Sequence, residues 1–280
     1  MPDYPFLKGH GTENDFVLLP DHDGTIHGDL SAEQMAERVR ALCDRRAGIG
    51  GDGVLRVVRD PLDGDPLGGE GWFMDYRNAD GSVAEMCGNG IRVFVRYLLE
   101  AGLVDGSAPL PIGTRDGVKV VTVDGDLVTA DLGTPQVLGE TKVAVPGRAW
   151  VARHVDMGNP HAVAFVDSLD DAGRLHDAPE HDPATYPDGV NVEFVVRRGE
   201  RHVAMRVHER GSGETRSCGT GAGAVMVAAA VADDARPTDA DVAYRVDVPG
   251  GTLTVTWTTD DRVLLTGPAG SGKTTTIYAC

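Results

Sequence analysis

The chain has 280 residues, 41% of them hydrophobic and 25% charged, with a formal net charge of −17. That size and composition suit a globular protein with a substantial core, in one large domain or two smaller ones. The acidic balance argues against nucleic acid or an anionic membrane surface as a partner, since both present phosphates that call for basic patches.

From the N-terminus, Gly11-Thr12-Glu13-Asn14-Asp15-Phe16-Val17-Leu18 reads as a turn followed by a strand. Ser31 with Gln34 has the form of a capping box, and Met35, Val39 and Leu42 follow at helical spacing. Cys43 ends that stripe and reads as ordinary core. Gly50-Gly51-Asp52-Gly53-Val54-Leu55 is a second turn and strand. The segment Gly81-Ser82-Val83-Ala84-Glu85-Met86-Cys87-Gly88-Asn89-Gly90 leads into Ile91, Phe94, Val95 and Leu98, a helical stripe stopped at Gly102. Val118–Val123 and Leu127–Leu132 read as strands.

The order then repeats. Gly158-Asn159-Pro160-His161 opens a strand-like run to Val166, and Asp188-Gly189-Val190-Asn191 opens another to Phe194. Val203–Val207 follows as a strand. Gly211-Ser212-Gly213-Glu214-Thr215-Arg216-Ser217-Cys218-Gly219-Thr220-Gly221 leads into Ala222–Val231, which is small and apolar on all sides and predicts a fully buried helix. Tyr244–Val248, Leu253–Trp257 and Val263–Leu265 are further strands. Self-similarity at half-chain scale predicts a mixed α/β (α+β) protein of two homologous domains, residues 1–117 and 118–265.

The repeated cysteine turns carry the chemistry. Both run Gly-Ser, then Glu, then Cys-Gly-x-Gly, and each sets a thiol at a helix start. Unpaired N–H groups and a partial positive charge at such an end favour an anion, so the thiol there is a candidate thiolate. Two of them, one per half, form a matched acid and base for a reluctant carbon acid such as an amino-acid α-carbon. Backbone groups of Gly88, Asn89, Gly219 and Thr220 are placed to meet a carboxylate or its enediolate-like carbanion. Inversion at carbon by such a pair needs no cofactor and no metal. His161 is a candidate to tune or deprotonate a thiol. Glu209 is a candidate second base, and Arg210 a candidate carboxylate ligand. Asn14, Asn78, Asn159 and Asn191 each occupy a Gly- or Asp-rich turn, where asparagine is common for backbone reasons alone.

Of the four cysteines, none forms a Cys-x-x-Cys pair, so neither a disulfide scaffold nor a zinc site is expected. No apolar signal region follows Met1, and no run of about 18 apolar residues is present. The expectation is a cytoplasmic protein with free thiols and a small-molecule substrate, with no membrane or nucleic-acid partner; a homodimer stands open beside a monomer.

The ordered set Gly9-His10-Gly11-Thr12-Glu13-Asn14-Asp15-Phe16, Asn78-Ala79-Asp80-Gly81-Ser82, Met86-Cys87-Gly88-Asn89-Gly90, Gly158-Asn159-Pro160-His161, Gly189-Val190-Asn191 and Glu209-Arg210 through Cys218-Gly219-Thr220-Gly221 closely resembles the diaminopimelate epimerase family. The resemblance implies two similar domains, each a barrel-like sheet around a central helix, with the active site in the cleft between them. It implies interconversion of LL- and meso-2,6-diaminopimelate without a cofactor, in lysine and peptidoglycan precursor synthesis. Cys87 and Cys218 match the two catalytic cysteines, and His161 and Glu209 the residues that assist them. Asn14, Asn78, Asn159, Asn191 and Arg210 match the substrate-binding set, with Gly88-Asn89 and Gly219-Thr220 at the reacting carboxylate. It further implies that residues 266–280 return to the first domain.

The tail departs from the family's pattern. Gly267-Pro268-Ala269-Gly270-Ser271-Gly272-Lys273-Thr274 matches a phosphate-binding loop as a string, after a strand-like Val263–Thr266. Too little chain follows to form the helix whose N-terminus would hold the phosphates. Competing readings are a proline racemase-like enzyme of the same fold, a nucleotide-binding protein acting through this tail, and a thiol redox protein using Cys87 and Cys218.

Overall fold

The computed structural model describes residues 4–61, 70–271 and 275–277. In chain order the elements are β1 (Tyr4–Gly11), β2 (Asn14–Pro20), α1 (Ala32–Cys43), β3 (Gly53–Pro61), β4 (Glu70–Asn78), α2 (Gly88–Glu100), β5 (Leu110–Thr114), β6 (Gly117–Asp124) and β7 (Leu127–Asp131). They continue with β8 (Gln136–Val145), β9 (Arg148–Asp156), β10 (Pro160–Phe165), β11 (Glu180–His181), β12 (Asn191–Gly199), β13 (His202–Glu209), β14 (Gly213–Thr215) and α3 (Gly219–Ala232). The last are β15 (Val242–Val248), β16 (Gly251–Trp257), β17 (Val263–Pro268), β18 (Gly270–Ser271) and β19 (Thr275–Ile277). The chain forms two compact units, Met1–Ala130 with Pro268–Cys280, and Asp131–Gly267.

In the first unit β2 decides the layering. Its side chains alternate, as a strand's must: Phe16 and Leu18 join one apolar cluster, Val17 and Leu19 another. The first cluster surrounds α2, whose Ile91, Val93, Phe94, Val95 and Leu98 have no exposed surface. Leu7, Leu55, Val57, Met74, Ile112, Val121, Val128 and Ala130, drawn from β1 through β7, pack on that helix. The second cluster holds α1 on the other face through Met35, Val39, Leu42 and Cys43. Ser31 closes the predicted capping box with Gln34. Burial pushes the Cys43 thiol up to about 11, as expected of a core cysteine.

Both units use one strand order. In the first, β1–β2 is antiparallel, β2–β3 parallel, β3–β4 antiparallel, β4–β5 parallel, and β5–β6 and β6–β7 antiparallel. In the second, β9–β10, β10–β12, β12–β13, β13–β15, β15–β16 and β16–β17 repeat that series step for step. The helix follows the fourth strand of the series each time, α2 after β4 and α3 after β13. Helix α3 packs against β9, β10, β12, β13, β15 and β16 and buries Ala222 through Ala230, consistent with an apolar surface on every side.

The expected division after residue 117 falls inside a hairpin. Gly117 (φ +81°) is the turn of β5–β6, and β6 and β7 go on to bury Val121, Val128 and Ala130 against α2. The first unit therefore runs to Ala130. The edge of each unit's first strand is also covered in the same way. Strand β8, which follows β7 in the chain, pairs with β9, and β18 and β19, which follow β17, pair with β1. The pairing of β18 needs a residue without a side chain at position 9, since a Cβ there would stand 2.9 Å from the Gly270 carbonyl oxygen and 2.6 Å from Val93 Cγ1.

The phosphate-loop reading of the tail does not fit this arrangement. Gly270 and Ser271 are strand residues paired with His10 and Gly9, and residues 275–277 form a strand rather than the helix such a loop requires. Gly272, Lys273 and Thr274 lie outside the described residues. Among the described residues no helix is long and apolar enough to cross a membrane.

Truncation after Ala269 is expected to uncover the edge of β1 and lower stability by on the order of 2–5 kcal/mol, taking about 1 kcal/mol per lost hydrogen bond. Urea unfolding of the two chains compares them directly; equal midpoints would contradict this role for the tail.

Candidate active site

In the first unit the sequence sets a thiol at the head of a wrapped helix. Cys87 is the N-cap of α2, with extended backbone (φ −140°, ψ 114°), and its Sγ accepts the Gly90 N–H at 3.3 Å. Gly90 has little freedom to change, because a Cβ would stand 3.1 Å from Leu55 Cδ2 and 3.3 Å from Cys87 Cβ. Asn14 stands beside this thiol, with Oδ1 3.9 Å from Cys87 Sγ and accepting from Asn89 Nδ2 at 3.2 Å. Its other amide atom, Nδ2, donates to Asp52 at 2.8 Å, and Asp52 is held in turn by Arg45.

The position of Asn14 comes from a tight two-residue turn. Gly11 pairs with Asn14, and Thr12 (φ 53°) and Glu13 (φ 60°) between them both occupy the left-handed region. Neither is the glycine or asparagine such a turn favours, so the conformation is strained and needs support. Arg92 supplies part of it. Its guanidinium donates to Thr12 Oγ1 (3.3 Å), Asn89 Oδ1 (2.6 Å) and the Pro268 carbonyl (2.7 Å), and the residue has no exposed surface. Burial lowers its pKa to about 10, and the interaction with Cys87 acts in the opposite sense. The cation under the helix and the helix N-terminus thus both attract negative charge toward this thiol.

The second unit repeats the frame with different neighbours. Cys218 is the N-cap of α3, and its Sγ accepts the Gly221 N–H at 3.4 Å and lies 3.6 Å from Thr220 Oγ1. The thiol also hydrogen-bonds the Glu209 carboxylate, which accepts a second hydrogen bond from Thr215 Oγ1. Burial, reinforced by the charges of Glu209 and Glu193, pushes the Cys218 thiol well above its usual range. Burial also raises Glu209, to about 6. Where the surroundings of Cys87 include a buried cation, those of Cys218 include two carboxylates.

His161 sits at the start of β10, in register with Asn191 at the start of β12. Its ring is fully buried, with Nδ1 2.7 Å from Glu193 Oε1 and Nε2 3.0 Å from Asn159 Oδ1. Asn191 Oδ1 accepts the Arg210 N–H at 2.8 Å, which ties β12 to the end of β13. The Arg210 side chain is exposed, lies along Gly189 and donates to the Asp188 carbonyl at 3.2 Å.

The sequence-derived residues therefore gather into two groups. Asn14, Gly88 and Asn89 surround Cys87 in the first unit, and Glu209, Gly219 and Thr220 surround Cys218 in the second, with His161, Asn159, Asn191 and Arg210 on the adjoining strand ends. The Asn78 side chain accepts from Tyr76 Oη (2.7 Å) and donates to Ser82 Oγ (3.0 Å). Two residues escaped the sequence reading. Arg92 is a charge on the inward side of an apolar helix, and Glu193 is a charge inside the buried run Val192-Glu193-Phe194-Val195-Val196. In both, a lone charge within an apolar pattern is the available signal.

Known proteins are similar to this chain in sequence and in fold. The diaminopimelate epimerase family model matches residues 6–138 and 153–271. A diaminopimelate epimerase of Streptomyces coelicolor is 58% identical over 273 residues, covering 94% of this chain and 92% of that protein. Those of Thermobifida fusca, with 47% identity and 94% of each chain covered, and Corynebacterium glutamicum, with 46% and 95% of each, are also similar. Among solved structures, a Bacillus anthracis phenazine biosynthesis protein of the PhzF family superposes with a TM-score of 0.73 at 17% identity over 100% of both chains. A hydroxyproline epimerase of Agrobacterium vitis superposes with a TM-score of 0.66 at 16% identity, over 98% of this chain and 92% of that one. At these identities the two structures speak to the fold alone. Sequence similarity along nearly the whole chain goes further, and the chain belongs to the diaminopimelate epimerase family.

Proposed function

We propose that this chain interconverts LL- and meso-2,6-diaminopimelate by moving a proton between the α-carbon and the thiols of Cys87 and Cys218, acting from opposite faces. The observation that carries this reading is the repeated N-cap cysteine, each on the first turn of a buried helix and each accepting the N–H three residues on. The family to which the chain belongs supplies the substrate. Proton exchange of this kind ends with inversion at carbon, and the carbon, thiolate and thiol together balance the proton taken and the proton returned.

The two surroundings divide the roles. Arg92 and the α2 terminus attract negative charge toward Cys87, whereas burial and two neighbouring carboxylates push the Cys218 thiol up. In one direction Cys87 accordingly serves as the base and Cys218 as the acid. In the reverse direction Cys218 passes its proton to Glu209, already its hydrogen-bond partner, and Cys87 takes one up from solvent to serve as the acid. Charge developing on the substrate carboxylate falls to the first-turn N–H groups at Gly88-Asn89 and Gly219-Thr220. Asn14, Asn78, Asn159, Asn191 and Arg210 are assigned to the substrate's amino and carboxylate groups, with Arg210 suited to a carboxylate. Three free cysteines among the described residues suit a reducing compartment, and we place the enzyme in the cytoplasm.

The readings through a nucleotide or a racemase substrate are not favoured by the family match. A redox role for the thiols has no support from Cys218, whose raised pKa disfavours the thiolate that disulfide exchange requires.

Replacing either thiol tests the proposal. Cys87→Ser and Cys218→Ser should each lower kcat/KM for epimerisation by about 10²-fold or more, the range for loss of a general acid or base. Chromatographic separation of the LL and meso isomers measures it, and full activity in either variant would contradict the two-thiol scheme.

Glu209 gives a pH test with a definite sign. Its carboxyl is ionised above about pH 6 and protonated below, so as pH falls through 6 the acceptor for the Cys218 proton is lost. In the direction that uses Cys218 as base, kcat/KM should decline below about pH 6, and Glu209→Gln should remove that limb while lowering the plateau by about 10²-fold. An unchanged acid limb in the variant would assign it to another group.

A further inference from the structure

Strand β12 buries a carboxylate that the proton transfer above does not use. Glu193 has no exposed surface, although its strand neighbours Val192 and Phe194 both face the apolar cluster on the far side of the sheet. Alternation turns Glu193 the other way, toward α3. A Cβ on Gly221 would stand 2.8 Å from Glu193 Oε1, so the absence of a side chain there is what lets the carboxylate approach the first turn of the helix. The helix N-terminus favours a negative group at that place.

A carboxylate without water needs a partner, and only one of the two oxygens has one. Oε1 lies 2.7 Å from His161 Nδ1, while Oε2 has no hydrogen-bond partner among the described residues. His161 is itself fully buried and is held at its other end, through Nε2, by Asn159. Both partners are oxygens that accept, so contacts on both nitrogens leave the ring no freedom to turn over, and the carboxylate keeps a proton on Nδ1. The titratable groups facing Glu193 are His161 on β10, Glu209 on β13, Cys218 at the head of α3, and Tyr186. His161 alone among these can offer it a cation.

We propose that Glu193 is a positioning residue for the epimerisation, accepting the Nδ1 proton of His161 and so fixing the ring and its tautomer beside the Cys218 turn. The proposal rests on the two-thiol reading for its catalytic consequence, but the tautomer of His161 is a property of the protein alone. The Nδ1 proton lies between ring and carboxylate. Glu193 acts through His161 and does not touch the substrate.

The test is Glu193→Leu, which keeps an apolar side chain of similar size and removes both carboxylate oxygens, read in two ways beside the wild-type enzyme. For turnover of LL-diaminopimelate, kcat should fall about 10–100-fold with KM little changed, the scale for loss of an outer partner that orients a functional histidine. With ¹⁵N-labelled histidine, NMR of the wild type should show His161 Nδ1 protonated throughout the range in which histidine titrates, from about pH 5 to 8. In Glu193→Leu that state should be lost, with Asn159 then favouring the proton on Nε2. A variant with unchanged kcat and pH profile would overturn the proposal, and so would a fall in kcat with His161 Nδ1 unaltered, since the loss would then bypass the histidine. Should the variant fail to fold, the wild-type spectrum decides, because an unprotonated Nδ1 contradicts the proposal by itself. Absence of turnover by the wild type would strike the epimerase reading instead and leave the nitrogen measurement standing.

Discussion

A cysteine that caps a buried helix is the constraint on which the rest of this structure depends. The thiol must lie at the helix head to receive the N–H of the third residue on, and the helix must be enclosed for that thiol to be shielded from water. Enclosure needs apolar surface around the whole helix, which α2 obtains from β1 through β7 and α3 from its small apolar faces against six strands. Glycines at positions 90 and 221 follow from the same demand, because side chains there would meet Leu55 and Glu193. The sheet order serves to wrap the helix, and the helix serves to present the thiol.

Duplication gives two such frames, and divergence of a few neighbours gives them different chemistry. A buried arginine near Cys87 and two buried carboxylates near Cys218 give the two thiols opposite electrostatic surroundings. Neither neighbourhood is a good arrangement for stability taken alone, since each buries charge with incomplete pairing. Arg92 is met by carbonyl, amide and hydroxyl oxygens, and Glu193 by a single histidine nitrogen. Such settings are where perturbed proton affinities and function coincide. The left-handed turn at Thr12 and Glu13, joined to Arg92, is a further local cost borne next to the candidate site.

Much of this was legible in the sequence for identifiable reasons. The capping box at Ser31 and Gln34, the apolar stripe after Cys87 and the all-round apolarity after Cys218 are local patterns, and local patterns fix local structure. The repeated glycine-flanked cysteine marks its own helix start. What the patterns could not give is long-range pairing. Strand β8 alternates exposed and half-exposed positions and carries Gln136, Glu140 and Lys142, so its weak hydrophobic pattern hides a strand that exists to cover β9. The division between units was displaced for the same reason, since the burial of Val128 and Ala130 against α2 is decided by packing far along the chain. Arg92 and Glu193 were missed because a reading by hydrophobic period treats a charge in an apolar run as an exception to be passed over.

The central claim is that two thiols, and not one, move the proton. Epimerisation of LL-diaminopimelate in D₂O, stopped at low conversion and read by proton NMR at the α-carbons, tests it most directly. Two opposed bases predict deuterium at the inverted carbon of the meso product and protium retained in the unconverted LL substrate. Protium carried over into the product, or deuterium appearing in the recovered substrate as fast as in the product, would mean that a single group both removes and returns the proton.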